Sequence, residues 1–154
     1  MIVGEAPGKE EDEKGEGFTG KSGQLLWKVI AEGEPGLTRR YFHVTNVVKC
    51  FPAEIKTPKD IHIKACRHWL DQEISDLKPR LILALGNTAL KYFKNKDGGI
   101  TRINASTEWI DSLSAWVCWC VHPSAALRSD VGMAQFEDGI ENFKEKIQKL
   151  GGFA

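Results

Sequence analysis

Residues 80–85 read RLILAL, in which an unbroken apolar run follows Arg80. A short run of this kind is typical of a parallel strand at the centre of a sheet, because helices cover both of its faces. Gly86-Asn87-Thr88 then turns the chain into a short helix that we expect to end near Phe93. This stretch predicts an α/β protein built around a parallel sheet.

The sequence on either side of this strand supplies further strands and helices. We expect strands at 1–4, 41–48 and 115–121, which are rich in apolar, β-branched or aromatic residues. Helices are predicted from Gly23 after a Ser22 cap, from Pro58 to Leu77 after a Thr57 cap, and near the C-terminus. Their apolar positions recur at helical spacing: Leu25, Leu26, Val29 and Ile30; Ile61, Ala65, Trp69, Leu70 and Ile74; Phe136, Ile140, Phe143, Ile147 and Leu150.

Two segments are less regular. Residues 4–23 contain five glycines after Gly4 and little apolar periodicity, so they are interpreted as a loop, and residues 100–109 are ambiguous. Strands that alternate with helices imply right-handed crossovers. The chain is therefore predicted to form a single domain, residues 1–154, with the fold of a three-layer α/β/α sandwich and a mostly parallel central sheet.

Composition limits the class of protein. The chain has 154 residues, of which 21 are basic and 21 acidic. This balance removes the simplest argument for nucleic-acid binding, although cations can still gather on one face. No apolar run reaches the roughly 20 residues of a membrane span, and the N-terminus lacks a secretory pattern. We expect a cytoplasmic or otherwise intracellular protein, with no membrane contact, whose four cysteines are reduced thiols or metal ligands.

Three distinctive segments follow predicted strands: the loop after Gly4, residues 46–52, and the loop from His122. Ligands of parallel sheets bind outside the carboxyl ends of the strands, so these segments are expected to converge. Phe18 fits either a core side chain or a stacking surface, and Asn46 either a structural amide or one that reads a ligand. His122 fits either a turn or a group that handles protons. The acidic loop lacks the glycine patterns of nucleotide-binding loops, and no GxSxG supports a serine hydrolase.

Longer strings carry more information than these single residues. GEAPG with EED, then GFTGKSGQLL, NVVKCFP, PRLILALGNTAL and HPSAALR occur in this order along nearly the whole chain. This sequence resembles the family 4 uracil-DNA glycosylases. The resemblance implies a DNA-repair enzyme that flips uracil out of DNA and hydrolyses its N-glycosidic bond, leaving an abasic site and free uracil. It also implies an α/β/α sandwich, uracil-containing DNA as the partner and a monomeric enzyme.

The resemblance also implies roles for individual residues. Glu5 corresponds to the catalytic carboxylate beside the sugar, and His122 to the histidine that stabilises negative charge on uracil O2. The uracil-binding residues would be Ala6 at the ring edge, Glu11 near C5, Phe18 stacked on the ring, and Asn46 reading N3–H and O4. The loop that contacts DNA would include Ser124, with Leu127 filling the space of the flipped nucleotide and Arg128 near a phosphate.

Two positions depart from the family pattern. Gly17 stands where the family usually has proline, which we expect to loosen the loop. Family 4 enzymes typically bind a [4Fe-4S] cluster through four cysteines, and only Cys50 and Cys66 correspond to its metal ligands. Because the cluster needs four thiolates, we expect no cofactor in the chain as printed, or else ligands supplied from outside it.

A uracil-DNA binding module without turnover is the alternative. The relatives that crosslink to DNA carry a basic loop with a histidine after the strand that resembles NVVK. The corresponding stretch here, PAEIKTP at 52–58, contains no histidine, and His62 falls later, on the predicted helix. This difference favours an enzyme that releases its product.

Overall fold

The computed structural model describes residues 1–54 and 57–153. Within them, five strands form one sheet in the order β2-β1-β3-β5-β4, and only β4 runs antiparallel to its neighbour. The strands are β1 Ile2–Gly4, β2 Val44–Asn46, β3 Leu81–Leu85, β4 Ser106–Ile110 and β5 Ala115–Cys120. The flanking helices are α1 Lys9–Lys14, α2 Lys21–Ala31, α3 Asp60–Leu77, α4 Gly86–Lys94, α5 Ile100–Ile103, α6 Pro123–Ala126 and α7 Asp130–Lys149. The predicted α/β sandwich with a mostly parallel sheet is confirmed.

The core lies on both faces of the central strands. All side chains of β3 after Leu81 are buried, and Trp119 of β5 is fully buried as well. Helix α7 packs on β5, and a Cβ at Gly139 would overlap the Cys120 thiol, so helix and strand approach unusually closely. Each fully buried large apolar side chain stabilises such a core by about 1.5–3 kcal/mol.

The interpretation of residues 4–23 as loop alone was wrong, because they contain α1. This helix buries none of its residues, so it has no apolar stripe for a periodicity argument to detect. Its charges suit the helix dipole instead, with three acidic side chains in the first turn and Lys14 in the last. Gly15 ends it at a φ of 67°.

Strand β2 is shorter than predicted, since residues 39–41 form a 3-10 turn before it. The Phe42 ring lies 5.8 Å from that of Phe143 and packs on α7 rather than extending the ladder. After β2 the backbone still follows β1, because Val47 and Val48 donate hydrogen bonds to the carbonyls of Gly4 and Glu5. The start of the loop at 46–52 is thus fixed beside the end of β1.

Three helix predictions also need correction. Helix α2 starts at Lys21 after Gly20 rather than after a Ser22 cap. Helix α3 starts at Asp60, and the His62 ring accepts the Lys59 N–H at 2.9 Å in place of a Thr57 cap. Ile61, Ala65 and Trp69 face solvent, whereas Ile63, Leu70 and Ile74 are buried, because only one side of this helix packs on the core.

Residues 100–109, ambiguous from sequence, divide into α5 and the edge strand β4. Trp109 of β4 is 45% exposed, as expected for an edge strand. The residues of β4 do not alternate clearly between buried and exposed, so the sequence does not identify the strand. No helix in the described part of the chain combines the length and the apolar composition of a membrane span.

Candidate active site

A cleft of about 300 Å³ opens at the carboxyl ends of the parallel strands. Its wall includes residues from all three segments that topology predicted to converge: Ala6, Glu11, Phe18, Asn46 and His122. The N-terminal end of α2, from Gly20 to Gly23, completes the wall. The register of the sheet explains this grouping, because Gly4 pairs with Asn46 at the same edge.

Asn46 presents a buried amide to this cleft. It is the last residue of β2, and its side chain is only 8% exposed. Within the described residues, no protein group hydrogen-bonds to the side-chain amide, whose atoms are open to the cleft rather than sealed in the interior. A ligand in the cleft that offers one donor and one acceptor side by side would satisfy the amide.

Phe18 closes the cleft beside Asn46, and its backbone has the unusual φ of 56°. The conformation is held from two sides: Trp27 Nε1 donates to the Phe18 carbonyl at 3.0 Å, and Gly23 packs directly on that carbonyl group. A Cβ at Gly4 would lie 2.5 Å from the Phe18 ring and 2.6 Å from Asn46 Oδ1. Gly4 and Gly23 are therefore required for the position of the ring, a role that the sequence analysis missed.

Arg39 fixes the loop that carries Phe18. Its guanidinium donates to the Gly17 carbonyl at 2.5 Å, pairs with Glu16 at 3.1 Å, and lies 5.2 Å from the centroid of the Trp27 ring. We expected Gly17 to loosen this loop, but the sequence alone did not show that Arg39 anchors the loop at this residue. Glycine in place of proline increases the conformational entropy of the unfolded chain. In the folded loop, the Gly17 carbonyl is held by its hydrogen bond from Arg39.

Glu11 holds the opposite wall together. Its Oε1 accepts the Gly20 N–H at 3.0 Å, which ties α1 to the first turn of α2. Gly8 gives the same carboxylate room, since a Cβ there would lie 2.6 Å from Glu11 Oε2. The acidic side chain is thus a structural tie between two helices as well as part of the cleft wall.

His122 follows β5 by two residues and caps α6, so that its ring is fixed at the cleft. Its Nδ1 accepts the Ser124 N–H at 3.1 Å, which leaves the proton of the neutral ring on Nε2. Burial, with a smaller contribution from the charge of Arg128, lowers the pKa of His122 to about 4, against the opposing effect of Glu11. Near neutral pH the ring is therefore an uncharged donor.

Glu5 follows β1 at the cleft edge and is not itself among the wall residues. Its Oε2 accepts a hydrogen bond of 2.5 Å from the hydroxyl of Thr88, in the first turn of α4. Thr88 lies in the GNTAL string of the sequence, but nothing in that string indicated its partner.

The predicted DNA-contacting residues lie together between β5 and α7: Ser124 belongs to α6, and Leu127 and Arg128 follow it. Leu127 is 50% exposed. Arg128 donates to the Ser124 carbonyl at 3.3 Å and to its hydroxyl at 3.1 Å, and that hydroxyl lies 2.9 Å from His122 Nδ1.

The cysteines do not make a four-thiolate site. Cys66 Sγ lies 3.5 Å from the Lys49 amide, which places it beside the backbone that leads into Cys50. Cys118 and Cys120 are buried in β5, and burial raises the pKa of Cys118 to about 11. In residues 1–54 and 57–153, no three His, Cys, Asp or Glu side chains are grouped to hold a metal ion. The described residues thus do not fit a [4Fe-4S] cluster by themselves.

Comparison with known proteins gives a consistent result. The family model of the uracil DNA glycosylase superfamily matches residues 1–150. The type-4 uracil-DNA glycosylase of Thermotoga maritima is 36% identical over 98% of this chain and 79% of its own length. The type-4 enzyme of Sulfurisphaera tokodaii is 38% identical, over 94% of this chain and 68% of its own length. That of Pyrobaculum aerophilum is 36% identical, over 93% and 75% respectively.

Proposed function

The chain belongs to the uracil-DNA glycosylase superfamily, with type-4 relatives, and on that premise we propose how its cleft removes uracil from DNA. The observation that carries the proposal is the amide of Asn46, open to the same cleft as Phe18 and the neutral ring of His122 and without a protein partner among the described residues. This combination offers a flat surface, a base-reading amide and a donor for a leaving group.

The cleft selects uracil through hydrogen bonding and shape. Asn46 Oδ1 accepts uracil N3–H, and its Nδ2 donates to O4, while the ring stacks on Phe18. Cytosine presents an acceptor and an amino donor at the same positions, so it meets a mismatched amide. The backbone at Ala6 holds the ring edge. Glu11, tied to Gly20, stands near C5, where thymine carries a methyl group.

The chemical step breaks the bond between C1′ of the deoxyribose and N1 of uracil. The electron pair leaves with the base, whose developing charge on O2 receives a hydrogen bond from His122 Nε2–H. The carboxylate of Glu5 stabilises the cationic sugar and orients a water molecule. The water oxygen bonds to C1′, its proton passes to Glu5, and the uracil anion later takes a proton from solvent.

Contacts with DNA come from the loop after β5. The exposed Leu127 enters the gap that the flipped nucleotide leaves, while Ser124 and Arg128 lie near a phosphate. No step of this mechanism requires a metal or a cluster. We place the activity in a single domain of 1–154 that works as an intracellular monomer on uracil-containing DNA and releases free uracil.

The competing function is a protein that binds uracil-DNA without turnover or becomes crosslinked to it. Of the residues that line the cleft, only His122 is a histidine, and the His62 ring is engaged with the Lys59 N–H. Ile55 and Lys56 of the stretch PAEIKTP lie outside the described residues. The cleft-lining histidine already has the role of donor, which favours release of the product.

A gel assay under denaturing conditions tests the proposal. Oligonucleotides with a single uracil, thymine, cytosine or hypoxanthine are incubated with protein of measured iron content and then treated with alkali. At uracil we expect an abasic site, so the strand should be cleaved after alkali treatment but not before it. The product should be lost in Asn46→Ala and retained in the control Asn142→Ala, which lies on α7. A covalent protein–DNA band would indicate a crosslinking protein, and uracil left intact would indicate a binding module.

A further inference from the structure

The turn from β3 into α4 contacts both proposed catalytic groups. Gly86 and Thr88 belong to the first turn of α4, directly after the central strand. The Thr88 side chain is only 5% exposed, and its hydroxyl donates to Glu5 Oε2 across 83 positions of sequence. At Gly86, where φ is 86°, a Cβ would lie 3.0 Å from His122 Cβ.

We propose that Thr88 is a positioning residue that fixes the carboxylate of Glu5 for attack on the sugar. The inference rests on the proposed role of Glu5. With Oε2 held by the hydroxyl, the plane of the carboxylate is restricted, and so is the direction in which Oε1 can accept a hydrogen bond from water. A carboxylate without this bond can turn about its side-chain dihedrals, and catalytic geometry is sensitive to such displacement.

The position of Thr88 in the fold supports this role over simple core packing. Within the described residues, the only side-chain hydrogen bond of the buried hydroxyl is with Glu5. The turn that carries it is anchored at Asn87, whose Oδ1 accepts the Ile100 N–H at 3.0 Å. One anchored turn therefore holds Glu5 through the Thr88 hydroxyl and passes close to His122 at Gly86. It sets the spacing between the group at the sugar and the group at the departing base.

A double-mutant cycle measures this coupling. Thr88→Val keeps the shape of the side chain but removes the hydroxyl, Thr88→Ser keeps the hydroxyl, and Glu5→Gln removes the charge. Single-turnover excision rates are measured on a uracil oligonucleotide, and affinities on one with a non-hydrolysable 2′-fluoro-deoxyuridine. Thr107→Val on β4, which also removes a hydroxyl that contacts other side chains, is the matched control.

We expect Thr88→Val to slow excision about 10- to 100-fold, with affinity within about twofold of the unmodified protein, because only positioning is lost. Thr88→Ser and Thr107→Val should stay within about threefold in rate. In the Glu5→Gln background, Thr88→Val should cause no further loss, since the carboxylate that it positions is already absent.

Each contrary result has a distinct meaning. If Glu5→Gln slows excision but Thr88→Val does not, or if Thr88→Val slows both backgrounds equally, Thr88 is a structural residue and the inference is wrong. Equal losses in rate and affinity would overturn it as well. If Glu5→Gln excises at the unmodified rate, it is the proposed role of Glu5 that fails. Thr88→Ala, with the same expectations, replaces Thr88→Val if the latter does not refold.

Discussion

A methyl group at Gly23 provides a stringent test of the position of Phe18. The glycine lies in the first turn of α2, and a Cβ built there overlaps the carbonyl carbon and oxygen of Phe18. Ordinary carbon contacts are about 3.5–4.0 Å, so the loop or the helix must move by roughly 1 Å or more. Gly23→Ala therefore displaces the aromatic ring that we place under uracil.

Two opposing effects on stability can be compared. Alanine is favoured over glycine inside a helix by about 1 kcal/mol. Overpacking against a buried backbone typically costs about 1–3 kcal/mol, and the overlap at Gly23 is with backbone rather than with a flexible side chain. We expect the clash to outweigh the helix preference, with a net loss of up to about 2 kcal/mol in the free energy of unfolding. The excision rate should fall by about 100-fold, the loss typical of a displacement of 1 Å at a reacting site.

Gly17→Ala is the matched control from the same loop. A Cβ at Gly17 meets no atom within 4 Å, so this variant should unfold and excise uracil like the unmodified protein. The assay combines urea denaturation with single-turnover excision, and uracil affinity is read from inhibition by the free base. A Gly23→Ala protein with unchanged rate and unchanged inhibition by uracil would refute the argument that these contacts fix Phe18 for catalysis.

Three further changes test other parts of the site. Asn46→Asp should slow uracil excision and relax the discrimination against cytosine, because a carboxyl can accept the cytosine amino group; an unchanged rate on uracil would show that Asn46 does not read the base. The folded pKa of His122, about 4, lies below the unfolded value of about 6.5, so the folded state binds fewer protons between these values. The free energy of unfolding should thus fall as pH drops from about 6.5 to 4, by about 1–3 kcal/mol from this group, and His122→Asn should lose that part of the pH dependence in urea titrations. Replacing both Cys50 and Cys66 by serine should cost at most a few kcal/mol and leave excision measurable, and the purified protein should be colourless. About four irons per chain, measured by metal analysis, would contradict this expectation.

Several features could be predicted from sequence because they depend on local pattern. The apolar run at 81–85 predicted the buried central strand β3, and the run at 115–121 predicted β5 within one residue. Asn46 was a candidate because it is an amide within an apolar predicted strand, and His122 because it follows a predicted strand at the edge where parallel topology brings strand ends together. The order of the longer motif strings predicted the family, which the family model confirms.

Tertiary structure decided the features that depend on contacts between distant segments. Helix α1 has no buried face, and the apolar side chains at Ile61 and Trp69 face solvent, because hydrophobic spacing shows which side chains could be buried but not what covers them. The hydrogen bond from Thr88 to Glu5, and the close approach of Phe18 to Gly4 and Gly23, join residues whose local sequences carry no sign of each other. Such contacts arise only when the sheet brings the strand ends together, since a buried hydroxyl or a missing Cβ acquires its role from the neighbour that the fold supplies.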